Sequence, residues 1–141
     1  QIDAANLRSL IRTLRMGKNA GFLAGALLEG GETEPAALLA VAENGGSGLA
    51  ELYAPTRFAA AAEAGAAALK GGTLTEFEKQ CDDAVTEYLS GAQMVPFGEA
   101  PLLAYLAARE TEYTNLRIVL MGRAAGLDAD TIRSRLRRGI G

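Results

Sequence analysis

EYTNLRIVLMGRAAG, Glu112 to Gly126, decides the fold, because DAANLRSLIRTLRMG, Asp3 to Gly17, repeats its punctuation. In both stretches an acidic residue stands three positions before Asn-Leu-Arg, and a glycine follows eleven residues after the asparagine. With Asp3 set on Glu112, the match runs without a gap as far as Gly30 on Gly139. Asn6, Leu7 and Arg8 fall on Asn115, Leu116 and Arg117, and Gly17 falls on Gly126. Asn19 falls on Asp128, both good helix caps, and Leu23 falls on Ile132. Seven of 28 positions are identical, and most others keep polarity where caps require it. The unit reads as helix, glycine turn, capped helix, glycine stop. A spacing of 109 residues implies a large duplicated helical unit, not a short solenoid repeat.

Asparagine is a poor helix-interior residue, so something other than propensity keeps Asn6 and Asn115 in place. One reading is a polar clasp: the carboxamide satisfies backbone groups of a neighbouring loop, and the nearby arginine pairs with a carboxylate or with terminal carbonyls. The other is a ligand or catalytic pair. The clasp is favoured, because the chain contains no histidine and shows no nucleophile pattern. That composition removes the usual general base and the commonest zinc ligand. Cys81, the single cysteine, makes no internal disulfide and reads as an inert helix residue in a reducing compartment.

The sequence is 49% hydrophobic, alanine-rich and 6% aromatic, which favours packed helices in one domain of 141 residues. No apolar run is long enough to span a bilayer, and no signal peptide is visible. Charge is uneven. Residues 1–111 carry 8 basic and 14 acidic side chains, whereas residues 112–141 carry 6 and 3. Such asymmetry suits a surface that meets partners of opposite sign.

Periodicity predicts helices over about 3–16, 19–29, 33–44, 47–53, 57–69, 75–89, 101–122 and 129–138, with no strand. Thr33 and Ser47 are the expected caps of two of them. Leu7, Leu10, Ile11 and Leu14 mark the first apolar stripe; Leu102, Leu106, Tyr113, Leu116 and Leu120 mark that of the longest helix. The alanine-rich helix 57–69 offers a tight packing face. Glu76, Glu78, Asp82, Asp83 and Glu87 read as a solvated acidic face, not a metal site. Gly91–Pro101 reads as a loop. Arg8, Arg12 and Arg15, with Arg133, Arg135, Arg137 and Arg138, are candidate polar contacts with partners.

In order and spacing these residues resemble one family. Asp3-Ala4-Ala5-Asn6-Leu7-Arg8, then Gly17-Lys18 and Leu27-Leu28-Glu29-Gly30-Gly31, open the match. Pro101 to Leu106, Glu110, Glu112, Asn115-Leu116-Arg117, Gly126-Leu127 and the arginine-rich end close it. The sequence is similar to the C subunit of the A/V-type ATPase, called the d subunit in eukaryotic enzymes, and reads as its C-terminal portion. The resemblance implies an all-α, funnel-shaped subunit built from three similar helical units, two of whose signatures fall here, at about 3–30 and 112–139 of a single helical domain.

It further implies a non-catalytic rotor part on the cytoplasmic face of the membrane. Such a part links the D and F subunits of the central stalk to the proteolipid ring and passes rotation between ATP turnover and proton or sodium transport. It implies no cofactor, metal, nucleic acid or small-molecule substrate. Asp3, Asn6, Arg8 and Gly17, with Glu112, Asn115, Arg117 and Gly126, are then joint residues, not chemistry. The alternative is a helix-turn-helix nucleic-acid-binding or regulatory protein, motivated by the basic last helix. The net acidic chain opposes it, and the first copy lacks arginines in its second helix. An enzyme has only scattered carboxylates to recommend it.

Overall fold

A computed structural model of the chain describes residues 1–94 and 97–139. Val95 and Pro96, inside the expected 91–101 loop, lie outside the described residues. The described chain is all-α: α1 (Ile2–Arg15), α2 (Ala20–Ala24), α3 (Pro35–Glu43), α4 (Leu49–Tyr53), α5 (Ala59–Leu69), α6 (Leu74–Ser90), a short 3-10 helix (Gly91–Met94), α7 (Ala100–Ala124) and α8 (Ala129–Arg135).

Several boundaries differ from those read in the sequence, each for a physical reason. Residues Gly91–Met94, expected as loop, continue from α6 as a 3-10 turn. Thr33 does not cap α3. Its backbone N–H is held by Asp3, Glu34 takes the cap position, and Pro35 enters the first turn, where its missing N–H costs nothing. Ser47 likewise yields to Gly48, which precedes α4 with φ +84°, a left-handed conformation that favours glycine. Helices α2 and α8 stop short of the expected 29 and 138, for a reason that lies in the asparagines described below.

The chain divides into two compact units, Gln1–Cys81 and Asp82–Gly141. In the first, α1 packs against α2, α3 and α5. Ala4, Leu7, Leu10 and Ile11 line its buried stripe. Each leucine or isoleucine withdrawn there contributes about 2 kcal/mol of apolar burial. Helix α5 meets it with Ala61, Ala62, Gly65 and Ala68, all buried. A Cβ added at Gly65 would sit 3.0 Å from Ile11 Cδ1 and 3.2 Å from Phe77 Cδ2. The small-residue stripe therefore sets how closely the helices approach. Leu38, Leu49 and Phe58 complete the core, with Tyr53 edge-on to Phe58 at 6.4 Å between ring centroids. Cys81 is also buried.

In the second unit α7 packs on the 3-10 helix and α8. Ala104, Gly122 and Ile132 are its buried apolar positions among the described residues. The apolar stripe of α7 is exposed: Leu102, Leu106, Tyr113, Leu116 and Leu120 each keep more than half of their surface in solvent.

Tyr53 is the most confined polar group of the first unit. Its hydroxyl is buried, with the Thr33 side chain close by but outside hydrogen-bonding geometry. Burial, with the Asp3 carboxylate adding to it, pushes the phenol up to about 12 from 10.0, against a smaller opposing pull from Thr33. A raised acid pKa in the fold means stability that is complete below pH 10 and is lost as pH rises towards 12. Tyr53→Phe deletes this titration and the unpartnered hydroxyl. The variant is expected to match or exceed the parent at neutral pH, and to lose on the order of 2 kcal/mol less across that alkaline window. Urea unfolding followed by circular dichroism at neutral and alkaline pH measures the difference; parallel pH profiles would contradict it.

Candidate functional site: the repeated asparagine clasp

Asn6 lies on the buried side of α1, and its carboxamide grips one residue of the segment after α2. Its Nδ2 donates to the Leu28 carbonyl at 2.8 Å, and its Oδ1 accepts the Leu28 N–H at 2.8 Å. Asn115 on α7 does the same to Arg137, with 3.0 and 2.8 Å. Both clasps span 22 residues. A primary amide carries one donor edge and one acceptor edge, so it pairs with a single backbone residue as a neighbouring β-strand would. The N–H and C=O of one residue point the same way only in extended backbone. The gripped residues therefore cannot be helical, which is why α2 and α8 end early. Leu136, just before Arg137, has φ −64° and ψ 142°.

The turn between the helices is also the same in both copies. Gly17 and Gly126 have φ of 67° and 71°. Lys18 N–H reaches the Thr13 carbonyl at 3.0 Å and Leu127 N–H reaches that of Gly122 at 2.9 Å, the longer bond of a Schellman turn. Asn19 then caps α2 through the Phe22 N–H at 3.0 Å. Asp128 caps α8 through the Thr131 N–H at 2.8 Å and also accepts from the Thr131 hydroxyl. That hydroxyl, followed by the backbone donor, holds the Asp128 carboxyl below its ordinary range. Leu23 and Ile132 are the buried anchors of the second helices.

The copies part at their acidic residue. Asp3 is buried and accepts the backbone N–H groups of Thr33 at 2.9 Å and Glu32 at 3.1 Å, tying down the loop before α3. A Cβ at Gly31 would meet Asp3 Oδ1 at 2.5 Å, so any larger residue there would displace that carboxylate. Glu112 is exposed and pairs with Arg109. In the second unit a backbone-holding carboxylate comes instead from Asp83, buried, whose Oδ1 accepts the Arg138 N–H at 2.7 Å.

The arginines fall into different environments. Arg8 Nε and Arg12 Nη2 converge on Glu78, at 2.8 and 2.6 Å, and Arg15 donates to the Gly72 carbonyl at 3.1 Å. Arg137 is half-buried, with Nε on Asp82 at 2.6 Å and Nη1 on the Arg135 carbonyl at 2.9 Å. Arg138 reaches Glu87 at 3.5 Å and Arg133 reaches Asp130 at 3.0 Å. Arg117 and Arg135 are exposed, and neither makes an ion pair among the described residues. The acidic face of α6 is thus more than a solvated stripe. Glu78, Asp82 and Asp83 are structural anchors that the sequence reading passed over. No local signal marks them: Glu78 takes both Arg8 and Arg12 from 66 to 70 residues away, and Asp82 and Asp83 each hold a residue 55 positions on.

Among the described residues no group of three or more carboxylates or thiols is placed to hold a metal ion. A cleft of about 380 Å³ beside the Asn44–Gly48 loop has Glu51 and Lys70 in its lining. The repeated constellation holds two loops closed and leaves Arg117, Arg135 and the apolar face of α7 exposed.

Comparison with known proteins gives the family. Residues 1–135 match the model of the ATP synthase (C/AC39) subunit family, and the chain belongs to that family. It is 30% identical to the C subunit of the A-type ATP synthase of Haloferax volcanii over 138 residues, covering 96% of this chain and 39% of that protein. It is 34% identical to the C subunit of the V-type sodium ATPase of Enterococcus hirae over 65 residues, 46% of this chain and 20% of that one. The A-type C subunit of Halobacterium salinarum matches at 29% over 138 residues, again 96% and 39%. The chain thus spans about two-fifths of the length of the haloarchaeal relatives it matches end to end. No solved structure matches it significantly.

Asn6→Ala strands the N–H and C=O of Leu28 and is expected to cost about 2–4 kcal/mol; Asn115→Ala, at a wetter site, about 1–2 kcal/mol. Urea titration gives the totals. Amide exchange locates them, with protection lost first at Leu28 and Arg137 respectively, whereas uniform loss across the chain would contradict a local clasp. A second comparison tests the equivalence of the two turns. A Cβ at Gly122 would lie 2.7 Å from Ile132 Cγ1, while the aligned pair in the first unit is Thr13 and Leu23. Gly122→Thr alone is expected to destabilise by about 1–3 kcal/mol, and adding Ile132→Leu to recover part of it. Simple additivity in thermal unfolding would break the equivalence.

Proposed function

We propose that this chain forms part of the non-catalytic C subunit of a rotary A/V-type ATPase, joining the central stalk to the membrane proteolipid ring. In this role it passes rotation between ATP turnover and proton or sodium transport. The observation that carries the reading is the family match over residues 1–135. The relatives, C subunits of A-type ATP synthases and of a V-type sodium ATPase, support it. So does the manner of closure: each helix–turn–helix unit is pinned by directed hydrogen bonds to backbone, which resist shear as well as separation, and close-packed interiors transmit strain. The units at about 3–30 and 112–139 are read as a duplication inside one helical domain. The partners are the D and F subunits of the central stalk and the cytoplasmic face of the ring, with the chain peripheral to the membrane. No helix among the described residues is long and apolar enough to cross a bilayer.

The helix-turn-helix nucleic-acid reading loses ground on the geometry of its reader helix. Helix α8 is seven residues long, and Arg133, Arg137 and Arg138 face Asp130, Asp82 and Glu87. A tagged chain expressed in its own cell is expected to co-purify with the D and F stalk subunits or with the detergent-solubilised ring. Isolation of the chain free of both under native conditions would overturn the proposal. A salt-dependent gel shift with duplex DNA at micromolar protein would favour the alternative.

A further inference from the structure

The two units are controls for each other, because clasp, turn, cap and buried anchor recur in both. What the joint requires is common to them, and what differs answers to something else. Helix α2 and the residues after it turn Gly21, Phe22, Ala24, Gly25, Ala26 and Leu28 to solvent. That face carries no polar side chain. The aligned positions hold Asp130, Thr131, Arg133, Ser134, Arg135 and Arg137. The second unit thus builds the same joint with a polar outer face, the ordinary condition of a helix in water. Phe22 is 53% and Leu28 51% exposed. The turn before α2 adds Met16, 58% exposed, where the second unit has Ala125. Grouped apolar exposure that the fold does not require marks an interaction site.

Charge beside this face is of one sign. From Ala4 to Leu28 the chain has four cations and no carboxylate, although its net charge is −3. Arg8 and Arg12 converge on Glu78. Arg15 donates to a neutral acceptor, the Gly72 carbonyl, and so keeps its charge. Lys18, exposed in the turn, makes no ion pair among the described residues. The second unit has Ala124 and Leu127 at these two positions. Carboxylates resume at Glu29, directly after the apolar face. A helix that docks in a protein groove presents bulky anchors at i, i+4 and i+7, and five residues are too few for such a row. Exposed aromatic and aliphatic side chains flanked by cations suit an element that lies in the interface of a bilayer carrying anionic lipid.

We propose that the α1–α2 turn and the outer face of α2 rest in the headgroup region of a bilayer that carries anionic phospholipid. Met16 and Phe22 enter the boundary between headgroups and acyl chains, while Arg15 and Lys18 meet lipid phosphates. Gly21, Ala24, Gly25 and Ala26 bring no polar side chain that must shed water. The Asn6 clasp on Leu28 already fixes the end of this face, so contact needs no refolding. The proposal rests on the functional reading above for the presence of a bilayer. Vesicle binding by the chain alone and capture of stalk subunits are separate measurements, so the failure of one is distinguishable from the failure of the other.

The probe is a vesicle of phosphatidylcholine with about one-third phosphatidylglycerol, sedimented with the intact chain at near-physiological salt. Half of the chain is expected to bind at on the order of 0.1–1 mM accessible lipid, as for other single, reversible anchors. Vesicles of phosphatidylcholine alone are expected to bind much less. Phe22→Thr, the residue that the second unit carries at the aligned position, is expected to weaken binding about tenfold. Lys18→Glu is expected to weaken it about fivefold or more, and Lys18→Arg to preserve it. Both sites are exposed, and circular dichroism melting verifies that the variants fold. Phe22→Trp, in a chain with no tryptophan of its own, is expected to shift its emission to the blue on the anionic vesicles. No binding at about 3 mM lipid overturns the proposal. So does binding unchanged by Phe22→Thr and Lys18→Glu but lost in Leu116→Asp, which would put the lipid on α7. Lipid-free dimerisation of the chain abolished by Phe22→Thr would make the face a protein contact and overturn it as well.

Discussion

A carboxamide pairing with both polar groups of a single backbone residue is the constraint on which each helix–turn–helix unit depends. It fixes where a helix must stop. Leu28 and Arg137 can offer N–H and C=O to the same side chain only if their backbone is extended, so α2 and α8 end upstream of them. It also fixes the turn. The asparagine and the gripped residue are 22 positions apart in both copies. The chain must therefore reverse, form a second short helix and return within that span. A glycine with φ near +70° at Gly17 and Gly126 makes the reversal. A capped start at Asn19 and Asp128 makes the second helix short and definite. An isolated helix of five to seven residues would not persist in water, so α2 and α8 exist because their flanks are held.

With that frame fixed, the two units solve the remaining packing differently. Thr13 and Leu23 in one become Gly122 and Ile132 in the other: the helix loses a side chain where its neighbour gains a branch at Cβ. The loop-holding carboxylate moves from Asp3 to Asp83, from within the aligned segment to a different helix. The role survives because a buried backbone N–H must be partnered, and any carboxylate that reaches it will serve. The arginine stripe diverges most. Glu78 takes both Arg8 and Arg12, whereas Met121 stands at the position aligned with Arg12.

Much of this was legible in the amino-acid order alone. Asn6 and Asn115 stood out as polar residues with poor helix propensity in otherwise well-formed helices, and glycine eleven residues later marked the turns. The alanine-rich helix announced a close contact, because small side chains let helices approach; the structure makes it through Ala61, Gly65 and Ala68. What stayed hidden depended on contacts across long stretches of chain. Nothing local tells that Glu34, not Thr33, precedes α3; Thr33 is withdrawn by Asp3, 30 residues away. The partners of Arg137 are equally remote, since Asp82 lies 55 residues upstream. Helical periodicity likewise marks which face of α7 is apolar, but burial is a property of the whole assembly of helices. Leu116 and Leu7 carry the same signal and end in opposite environments.

The balance of forces differs between the units. The first has a conventional core in which Leu7, Leu10, Ile11, Leu38 and Phe77 are withdrawn from water around a small-residue helix. The second has few buried apolar side chains among its described residues, and holds its end through directed contacts from Asn115, Asp82 and Asp83 to Arg137 and Arg138. Hydrogen bonds of this kind yield about 0.5–1.5 kcal/mol each, and somewhat more when one partner is charged. They define geometry well and add little to the total compared with a core leucine. A unit built that way has a definite shape and modest intrinsic stability, and its largest unused source of stabilisation is the apolar face of α7. Burial of that face would therefore act on the stability of the second unit much more than on its shape, which the clasp has already set.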